Sequence, residues 1–503
     1  MSDRIALPAA ENQARGLAEA ALRFMAQPFT AVAPEVWQRL ELFYLDSAAC
    51  AASALHLGAR APTLLRAEAL ACRQAGGSTC YGSRVEVLPE KSVVANSSAA
   101  REWDSNGTNF GWNPRTGQGK GEFGHNDFYP VAMAAAQQAG LDGKKLLQGM
   151  LLIDEIRGRL AEVFSLKDHK IDHVLHGAIA SALAYGAMLG ASPAALESAV
   201  GLVVAHSVPF RAIRHGRQLS DSKGASAALA AESAVLAARR AMAGFVGPAD
   251  IFRNPEAVFC LADPQPPGRS PFDLELTLAG REFAIMTMHF KLGLYEHQTA
   301  SAIEGLVRLL SLHPALVEDS AAIRRIAVAI YEPAYHIVAD PHKWSPETRQ
   351  SADHSLPYIV ATLVRKAHEK RQAGWAELML LPEDYGDAAL QHPLTRQLMA
   401  RVEIRHGGPE YDAQYPRGLP TSVAIEHPKT GRVESGLVLL PPGHALNTEA
   451  PLVDLLRRKH AALAGPAVLD YADFLRRSSA LADKSPAEVR AMTAFAIRGL
   501  DAG

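Results

Sequence analysis

Cysteine is scarce in this chain and widely spaced. The 503 residues include four cysteines, Cys50, Cys72, Cys80 and Cys260, and none belongs to a CxxC pair. Small secreted domains with disulfide frameworks have much denser cysteine patterns, so this spacing favours free thiols in a reducing compartment. The sequence therefore predicts a fold that does not depend on disulfide bonds.

An excess of charge of either sign is also missing. The chain has 51 Lys and Arg residues against 53 Asp and Glu residues. No global field would therefore draw it to nucleic acid or to an anionic membrane surface. We expect no nucleic-acid partner, and any site that binds an anion must be built from a local group of side chains.

Long apolar runs are absent as well. The sequence has no run of about 18 apolar residues, which is the length needed to span a bilayer. Asp3, Arg4 and Glu11 fall where a signal peptide would need an unbroken apolar segment. These patterns predict a cytoplasmic protein without a membrane partner.

Hydrophobic residues are plentiful, at 48% of the chain, while charged residues make up 21%. A chain of this length and composition should divide into two or three domains. Residues 14–270 consist of alanine- and leucine-rich segments with short breaks such as LGASP (189–193), in which glycine can end one helix and Ser-Pro can start the next. We predict an all-helical domain over residues 1–270.

The composition changes after the proline-rich stretch at 264–268. Strand patterns follow at 275–286 and 323–332, and 421–441 predicts a hairpin with a tight turn at its KTG sequence. A helical pattern returns from about Asn447. The predicted fold class is mainly α: a large all-helical domain (1–270 and 446–503) with a smaller α+β domain (271–445) inserted towards the C-terminal part.

The segment from Arg101 to Pro130 is the first candidate site. It combines glycines, which let backbone amides approach a ligand, with aromatic residues that argue against disorder. Its polar side chains can hold and protonate an anion: Asp104, Asn106, Thr108, Asn109, Asn113, Arg115, Lys120, His125, Asn126, Asp127 and Tyr129. We interpret this segment as a functional loop between helices.

A second candidate site is the histidine-rich sequence DHKIDHVLH at 168–176. His173 and His176 are three residues apart, so on a helix they would share a face and could bind a metal with a distant carboxylate. The other interpretation is that they cap or hydrogen-bond near a helix start. The capping interpretation is favoured over metal binding, because the sequence has no HExxH motif, no Cys/His quartet and no acidic cluster. A lone HxxH also arises often by chance.

The third candidate site is the basic run at 211–223. A solvated helix face would explain this run. Lys223, however, would lie in the first turn of a helix, where a cation is unfavourable unless an anion or a buried carboxylate is near. An anionic ligand at the helix N-terminus would resolve this conflict. The basic side chains of the run are Arg211, Arg214, His215, Arg217 and Lys223.

Two weaker candidates lie in the predicted α+β segment. Residues 289–297 combine Lys291, Tyr295, Glu296 and His297, although charged and aromatic residues occur together on many surfaces. Residues 331–358 are polar and aromatic, and they could form either a surface excursion or a wall of the site.

Eight segments in this order and spacing resemble the MmgE/PrpD family, whose members include 2-methylcitrate dehydratase, cis-aconitate decarboxylase and iminodisuccinate epimerase. The resemblance covers nearly the whole chain. The segments are LDSAACAASAL (45–55), AAREWDSNGT (99–108), GHNDFYPVAMAAAQ (124–137), DHVLHGAIASALAYGAMLG (172–190), SKGASAALAAESAVLA (222–237), GFVGPADIF (244–252), FKLGLYEHQTASAIE (290–304) and ADHSLPYIVA (352–361).

This resemblance implies a homodimer in which each subunit pairs a helical domain with an α+β lid. It also implies an active site in the cleft between them that needs no metal and no organic cofactor. The family's functional positions fall on Asp104, Thr108, His125, His173, Lys223, Lys291 and His297, with His176 as a rival of His173. The chain departs from the family pattern in two places: the acidic motif reads DSNGT, and Asn126 and Asp127 replace the usual proline and serine.

Within the family the resemblance favours a lyase that dehydrates 2-methylcitrate, a β-hydroxy tricarboxylate, to 2-methyl-cis-aconitate in propionate breakdown. Such an elimination needs a base, an acid and cations that stabilise developing negative charge. Lys223 and Lys291 would bind carboxylates with help from Thr108 and His297, His125 and His173 would share the proton transfers, and Asp104 would orient one imidazole. A related decarboxylase or epimerase, and a non-catalytic helical binding protein with these residues scattered over its surface, remain alternatives.

Overall fold

A computed structural model describes residues 3–214 and 218–500 of the chain. His215 and Arg217 of the basic run lie outside the described residues. Within the described ranges, no helix combines the length and apolar character needed to cross a membrane. All four cysteines are described and carry free thiols, as their spacing predicts.

The N-terminal half consists mainly of helices, as its alanine-rich sequence predicts. Its helices are α1 (Gln13–Ala26), α2 (Pro34–His56), α3 (Arg60–Ala71), α4 (Pro89–Arg101), α5 (Tyr129–Ala139), α6 (Gly143–Val163), α7 (Val174–Met188), α8 (Pro193–His206), α9 (Asp221–Met242) and α10 (Val258–Ala262). Its short strands are β1 (Arg4–Leu7), β2 (Arg73–Thr79), β3 (Glu86–Val87), β4 (Thr108–Asn109), β5 (Trp112–Asn113), β6 (Gln118–Gly119), β7 (Gly124–His125) and β8 (Leu274–Thr277).

Helix α7 lies at the centre of this helical layer and is buried along its whole length. It packs against α6 and α9, because its alanines and glycines allow close approach. A Cβ on Gly177 would lie 2.1 Å from the Phe128 ring, so only glycine fits there. The predicted break before α8 is confirmed: Ser192 caps the helix by accepting a hydrogen bond from Ala195 N, and Pro193 occupies the first turn.

The second half is mixed. Its helices are α11 (Ala300–Leu312), α12 (Pro314–Glu318), α13 (Ala334–Val338), α14 (Arg349–Ala352), α15 (Leu356–Lys370), α16 (Trp375–Leu378), α17 (Asp387–Leu390), α18 (Pro393–Met399) and α19 (Pro409–Asp412). Its strands are β9 (Arg325–Ile330), β10 (Val402–His406), β11 (Thr421–His427) and β12 (Gly431–Val438). Helices α20 (Leu452–Ala464), α21 (Tyr471–Ser478) and α22 (Pro486–Ala491) complete the chain.

Strands β9 to β12 form a four-stranded sheet in the order β10-β9-β11-β12. The predicted hairpin at 421–441 is present as the antiparallel pair β11 and β12, and β10 runs parallel to β9. Along β11 buried residues alternate with half-buried ones, and helix α11 packs against β11 and β12. The predicted strand at 323–332 is confirmed as β9.

One local prediction was wrong. The strand expected over 275–286 ends at Thr277, and residues 284–287 form a 3-10 turn instead. Strand β8 pairs with β1 near the N-terminus, with Arg4 opposite Thr277. The mainly α prediction is confirmed, whereas the division at 270 and 445 and the arrangement of 271–445 as a lid stay predictions.

Candidate active site

A cavity of about 530 Å³ lies where the loop after α4, the start of α9 and the 331–358 segment meet. Six basic side chains line it: Arg101, Arg211, Arg214, Lys223, Lys291 and Lys343. Five histidines line it as well: His125, His173, His336, His342 and His354. Among the described residues, its carboxylates are Asp104, Glu296 and Asp340, so cationic side chains outnumber anionic ones.

Asp104 lies at the centre of the basic side chains. Its Oδ1 is 2.6 Å from Arg101 Nη1 and contacts Lys291 Nζ, and its Oδ2 is 3.4 Å from Lys223 Nζ. The imidazole within reach of Asp104 is that of His354, with Nε2 at 3.4 Å from Oδ2. Burial opposes ionisation of Asp104, but attraction by Arg101 and Lys291 outweighs it and holds the pKa of the carboxyl well below its usual range.

The backbone at Asp104 turns sharply after helix α4. Its φ of +48° is in the left-handed region that residues other than glycine seldom adopt. The turn is fixed on both sides, because Lys291 Nζ donates to Asp104 O at 2.8 Å and Ser105 Oγ donates to Gly293 O at 2.7 Å. The segment that carries Lys291 therefore keeps the Asp104 backbone in this unfavourable conformation.

A short hairpin places Thr108 and His125 on the cavity wall. Strand β4 pairs with β7 so that Thr108 lies opposite His125. The Thr108 hydroxyl donates to Gly124 O at 3.0 Å, which leaves its oxygen able to accept a further hydrogen bond. A Cβ on Gly124 would come within 2.3 Å of both Arg157 Nη1 and Asn109 Oδ1, so the hairpin requires glycine there.

His173 occupies the N-cap position of α7 without a side-chain capping bond, and its ring centroid lies 5.2 Å from that of His125. Both His173 nitrogens and the Nδ1 of His125 are buried and lack a hydrogen-bond partner among the described residues. Beside His173, Asp172 accepts from Arg214, with Arg214 Nη2 at 3.1 Å from Oδ1. Burial, and then the neighbouring Arg101, lowers the pKa of His125 well below its usual value.

The pKa of His173 is also well below its usual value. Burial is the main cause, and the attraction of Asp172 only partly offsets it. Both imidazoles are therefore neutral at neutral pH, which suits a proton acceptor.

Lys223 lies in the first turn of α9 and bonds to a second carboxylate. Its Nζ donates to Asp353 Oδ1 at 2.9 Å and lies 3.0 Å from His354 Nδ1. Arg349 Nη1 also reaches Asp353, at 3.2 Å from Oδ2. Burial raises the pKa of Asp353, but Lys223 and His354 reverse this and lower it to about 2. The cation at the N-terminus of α9 is therefore matched by a buried carboxylate, one of the two resolutions expected from the sequence.

His297 and His176 do not line the cavity. The His297 ring is buried and stacks on His289 at 5.3 Å and near Phe110 at 5.8 Å, behind the cavity wall. His176 stacks on Phe259 at 6.5 Å inside the helical layer. The structure thus brings together six of the predicted site residues, Asp104, Thr108, His125, His173, Lys223 and Lys291, and their roles stay predictions.

Several cavity residues were not predicted as site residues. Arg101 and His354 line the cavity, and Asp353 pairs with Lys223 without lining it. All three belong to motif segments, but their contribution is visible only in the ion pairs. Arg211 and Lys343 line the cavity without an ion pair to a described carboxylate, and Arg211 Nη1 is buried without a partner there. The position of Lys343 favours the interpretation of residues 331–358 as a wall of the site.

Asp104, Asp353 and His354 are the described side chains whose ligand atoms are close enough together to hold a metal ion. Lys223 Nζ, however, lies 3.4 Å from Asp104 and 2.9 Å from Asp353. An ammonium group of the protein therefore occupies the position between these carboxylates, and we assign no metal to them.

The structure defines a mainly α protein with a buried cationic cavity that contains paired neutral imidazoles. The chain belongs to the MmgE/PrpD family: the MmgE/PrpD N-terminal domain matches residues 21–265 and the C-terminal domain matches residues 295–472. It is 24% identical over 316 residues to a 2-methylcitrate dehydratase of Escherichia coli O157:H7, and this match covers 62% of each chain. It is 23% identical over 320 residues to a 2-methylcitrate dehydratase of Salmonella typhimurium, again with 62% of each chain covered.

Proposed function

We propose that this protein is a metal-independent hydro-lyase that removes water from 2-methylcitrate to give 2-methyl-cis-aconitate. The observation that carries the proposal is the excess of basic side chains around the paired imidazoles of His125 and His173. A substrate with three carboxylates supplies the negative charge that such a cavity stabilises. The similarity to 2-methylcitrate dehydratases supports this choice of substrate.

The substrate carboxylates would bind to Lys223 and Lys291 on the cavity wall. They would also bind to Arg211 and Lys343, which lack carboxylate partners among the described residues. Thr108 would accept a hydrogen bond from the substrate hydroxyl, because its own proton is donated to Gly124 O. Fixed cations next to a carboxylate stabilise the charge that develops when the adjacent carbon loses a proton. Binding and charge stabilisation would thus come from the same side chains.

One of the two neutral imidazoles would act as the base. His173 has both ring nitrogens without a partner among the described residues, and Asp172 lies 3.5 Å from its Nδ1. The carboxylate of Asp172 would stabilise the imidazolium that forms when His173 takes a proton. Asp104, in contrast, would act mainly as the counter-charge that orders Lys291, Lys223 and Arg101.

An NMR time course with purified protein tests the proposal. 2-Methylcitrate, citrate, cis-aconitate and iminodisuccinate are supplied in separate tubes, each with and without a chelator. We expect conversion of 2-methylcitrate to the conjugated alkene at the same rate in both conditions. Loss of carbon dioxide from cis-aconitate, or scrambling of the stereocentre of iminodisuccinate, in place of this conversion would reject the dehydratase in favour of a related activity.

The family resemblance also leads us to propose a homodimer. Sedimentation velocity of the purified protein should give twice the mass of the chain. A monomer that is fully active would reject this assembly.

A further inference from the structure

Elimination of hydroxide requires a group that donates a proton to the leaving oxygen. His125 and His173 are neutral in the cavity because burial lowers the pKa of each well below its ordinary value. They can accept a proton, but at neutral pH they are not imidazolium ions, which is the form of histidine that acts as a general acid. The ammonium groups of Lys223 and Lys291 are tied to Asp353 and Asp104. A proton donor that leaves these ion pairs intact would be another group on the cavity wall.

Glu296 lies on that wall, five residues after Lys291. Its backbone N–H donates to Asp353 O at 2.8 Å, and its Oε2 accepts from Gln298 N at 2.8 Å. These bonds fix the side chain at the start of the 3-10 turn His297–Thr299. The other oxygen, Oε1, has no hydrogen-bond partner in the described part of the chain, so one carboxyl oxygen is held and one is available to a ligand.

Burial favours a protonated carboxyl at Glu296, although nearby lysines oppose it. Burial is the largest effect and raises its pKa, while Lys291 opposes this and Asp104 reinforces it, with a result of about 7. Lys223 on α9 and Lys343 on the 331–358 segment also face it, as do the phenols of Tyr331 and Tyr415. A bound polycarboxylate would add negative charge and raise this pKa further.

We propose that Glu296 is the general acid of the reaction, a role that rests on the dehydration proposed above. An imidazole of the cavity takes the proton from carbon, and the electron pair of the C–H bond forms the double bond. As the C–O bond breaks, the Glu296 carboxylic acid gives its proton to the departing oxygen. Water leaves, Glu296 remains as a carboxylate, and the proton on the imidazole returns to Glu296 through solvent.

Glu296→Gln is the test substitution, because its amide oxygen can still accept the bond from Gln298 N while it carries no acidic proton. We expect kcat for 2-methylcitrate to fall about 100-fold with little change in KM. The wild-type kcat/KM should fall as pH rises through about 7, since the acid of the free enzyme loses its proton, and this limb should be absent from Glu296→Gln. Glu296→Asp, which retains an acid, should keep more activity than Glu296→Gln.

Glu304→Gln is the matched control. Glu304 is a buried carboxylate that contacts Arg308 and Trp375 outside the cavity, so this variant should keep wild-type kcat and the wild-type pH profile. A second control is the substrate analogue with fluorine in place of the hydroxyl group. Fluoride departs with little protonation, so Glu296→Gln should process this analogue at close to the wild-type rate.

The outcomes separate the two proposals. If wild-type protein leaves 2-methylcitrate unchanged, the proposed function fails, and the role of Glu296 in it fails as well. If wild-type protein dehydrates 2-methylcitrate but Glu296→Gln keeps its kcat, only the role of Glu296 is rejected. Equal losses on the hydroxyl substrate and on the fluoro analogue would also reject it, because they would indicate a structural role.

Discussion

His173 and His176 are three residues apart in sequence, but their rings have different surroundings. His173 lines the cavity beside His125, whereas His176 stacks on Phe259 in the helical interior. We predict that His173→Asn lowers kcat for 2-methylcitrate about 100-fold or more, because it removes a proton acceptor. His176→Leu should keep kcat within about threefold of wild type, since it alters no cavity side chain. The assay is the rate of alkene formation by each variant, and the reverse order of losses would make His176 the active-site histidine.

Asp104 should matter for stability as well as for turnover. It is the shared counter-charge of Arg101, Lys291 and Lys223. Asp104→Asn removes the carboxylate partner of the buried Lys291 and weakens the charge balance of the other two cations, of which Lys223 still pairs with Asp353. We predict a decrease of about 3 kcal/mol in the free energy of unfolding, measured by urea denaturation.

Asp168→Asn is the control for Asp104→Asn. Asp168 is exposed and pairs with Lys167, so its loss should cost less than about 1 kcal/mol. Equal effects of the two substitutions would show that the buried network contributes no more than a surface ion pair.

The resemblance to the MmgE/PrpD family allowed six cavity residues to be predicted from sequence, because the family's functional positions fall on them. Arg211, Lys343 and Glu296 could not be separated from ordinary surface charges in the same way. Their contribution depends on burial and on which carboxylates pair with which lysines. Those properties arise only when distant segments pack together.

At the scale of elements, the β4–β7 hairpin determines where Thr108 and His125 lie. A methyl group on Gly124 would collide with Arg157 and Asn109. We predict that Gly124→Ala lowers the free energy of unfolding by about 1–3 kcal/mol and lowers kcat. Gly386→Ala is the control, because a Cβ there meets nothing within 4 Å. Wild-type stability and activity in Gly124→Ala would show that the hairpin does not hold the site.

Helix α20 fixes the loop of Asp104 and the segment of Lys291 through one buried lysine. Lys459 Nζ donates to Ser105 O at 2.6 Å and to Lys291 O at 2.8 Å, and it pairs with Asp46 at 2.8 Å. Lys459→Met would leave Asp46 and both carbonyls without this donor. We predict a loss of about 3–5 kcal/mol in the free energy of unfolding, measured by urea denaturation.

A double-mutant cycle with Asp46→Asn checks the role of Lys459. The combined loss should be smaller than the sum of the single losses, because each substitution breaks the same pair. Additive losses would show that Lys459 and Asp46 act independently.

Local patterns were sufficient to predict the helix break before α8 and the hairpin of β11 and β12, because turn residues determine both. The pairing of β8 with β1 was missed. It joins residues that are about 270 positions apart, and no local periodicity encodes such a partner.

At the scale of the whole molecule, buried histidines should make stability depend on pH. Burial lowers the pKa of seven of them in the folded state: His125, His173, His176, His289, His297, His354 and His444. In the unfolded chain each titrates near pH 6.5, as an ordinary histidine does. Below about pH 6.5 the unfolded chain therefore binds more protons than the folded one, and stability falls as pH falls.

Thermal unfolding between pH 8 and pH 5.5 measures this effect. Glu122 and Glu296, whose pKa values are raised to about 7, act in the opposite sense but are fewer. His176→Leu removes one histidine outside the cavity and should make the dependence shallower by up to about 1.4 kcal/mol per pH unit. Constant stability over this range would mean that the folded protein protonates its buried imidazoles.

The most direct test of the account is the rate at which wild-type protein and Lys223→Met convert 2-methylcitrate to the conjugated alkene. Methionine keeps much of the length of the lysine side chain but removes the charge that faces Asp104 and Asp353. The account predicts conversion by the wild type and a rate about 100-fold lower for Lys223→Met. No conversion by the wild type, or equal rates for the two proteins, would contradict it.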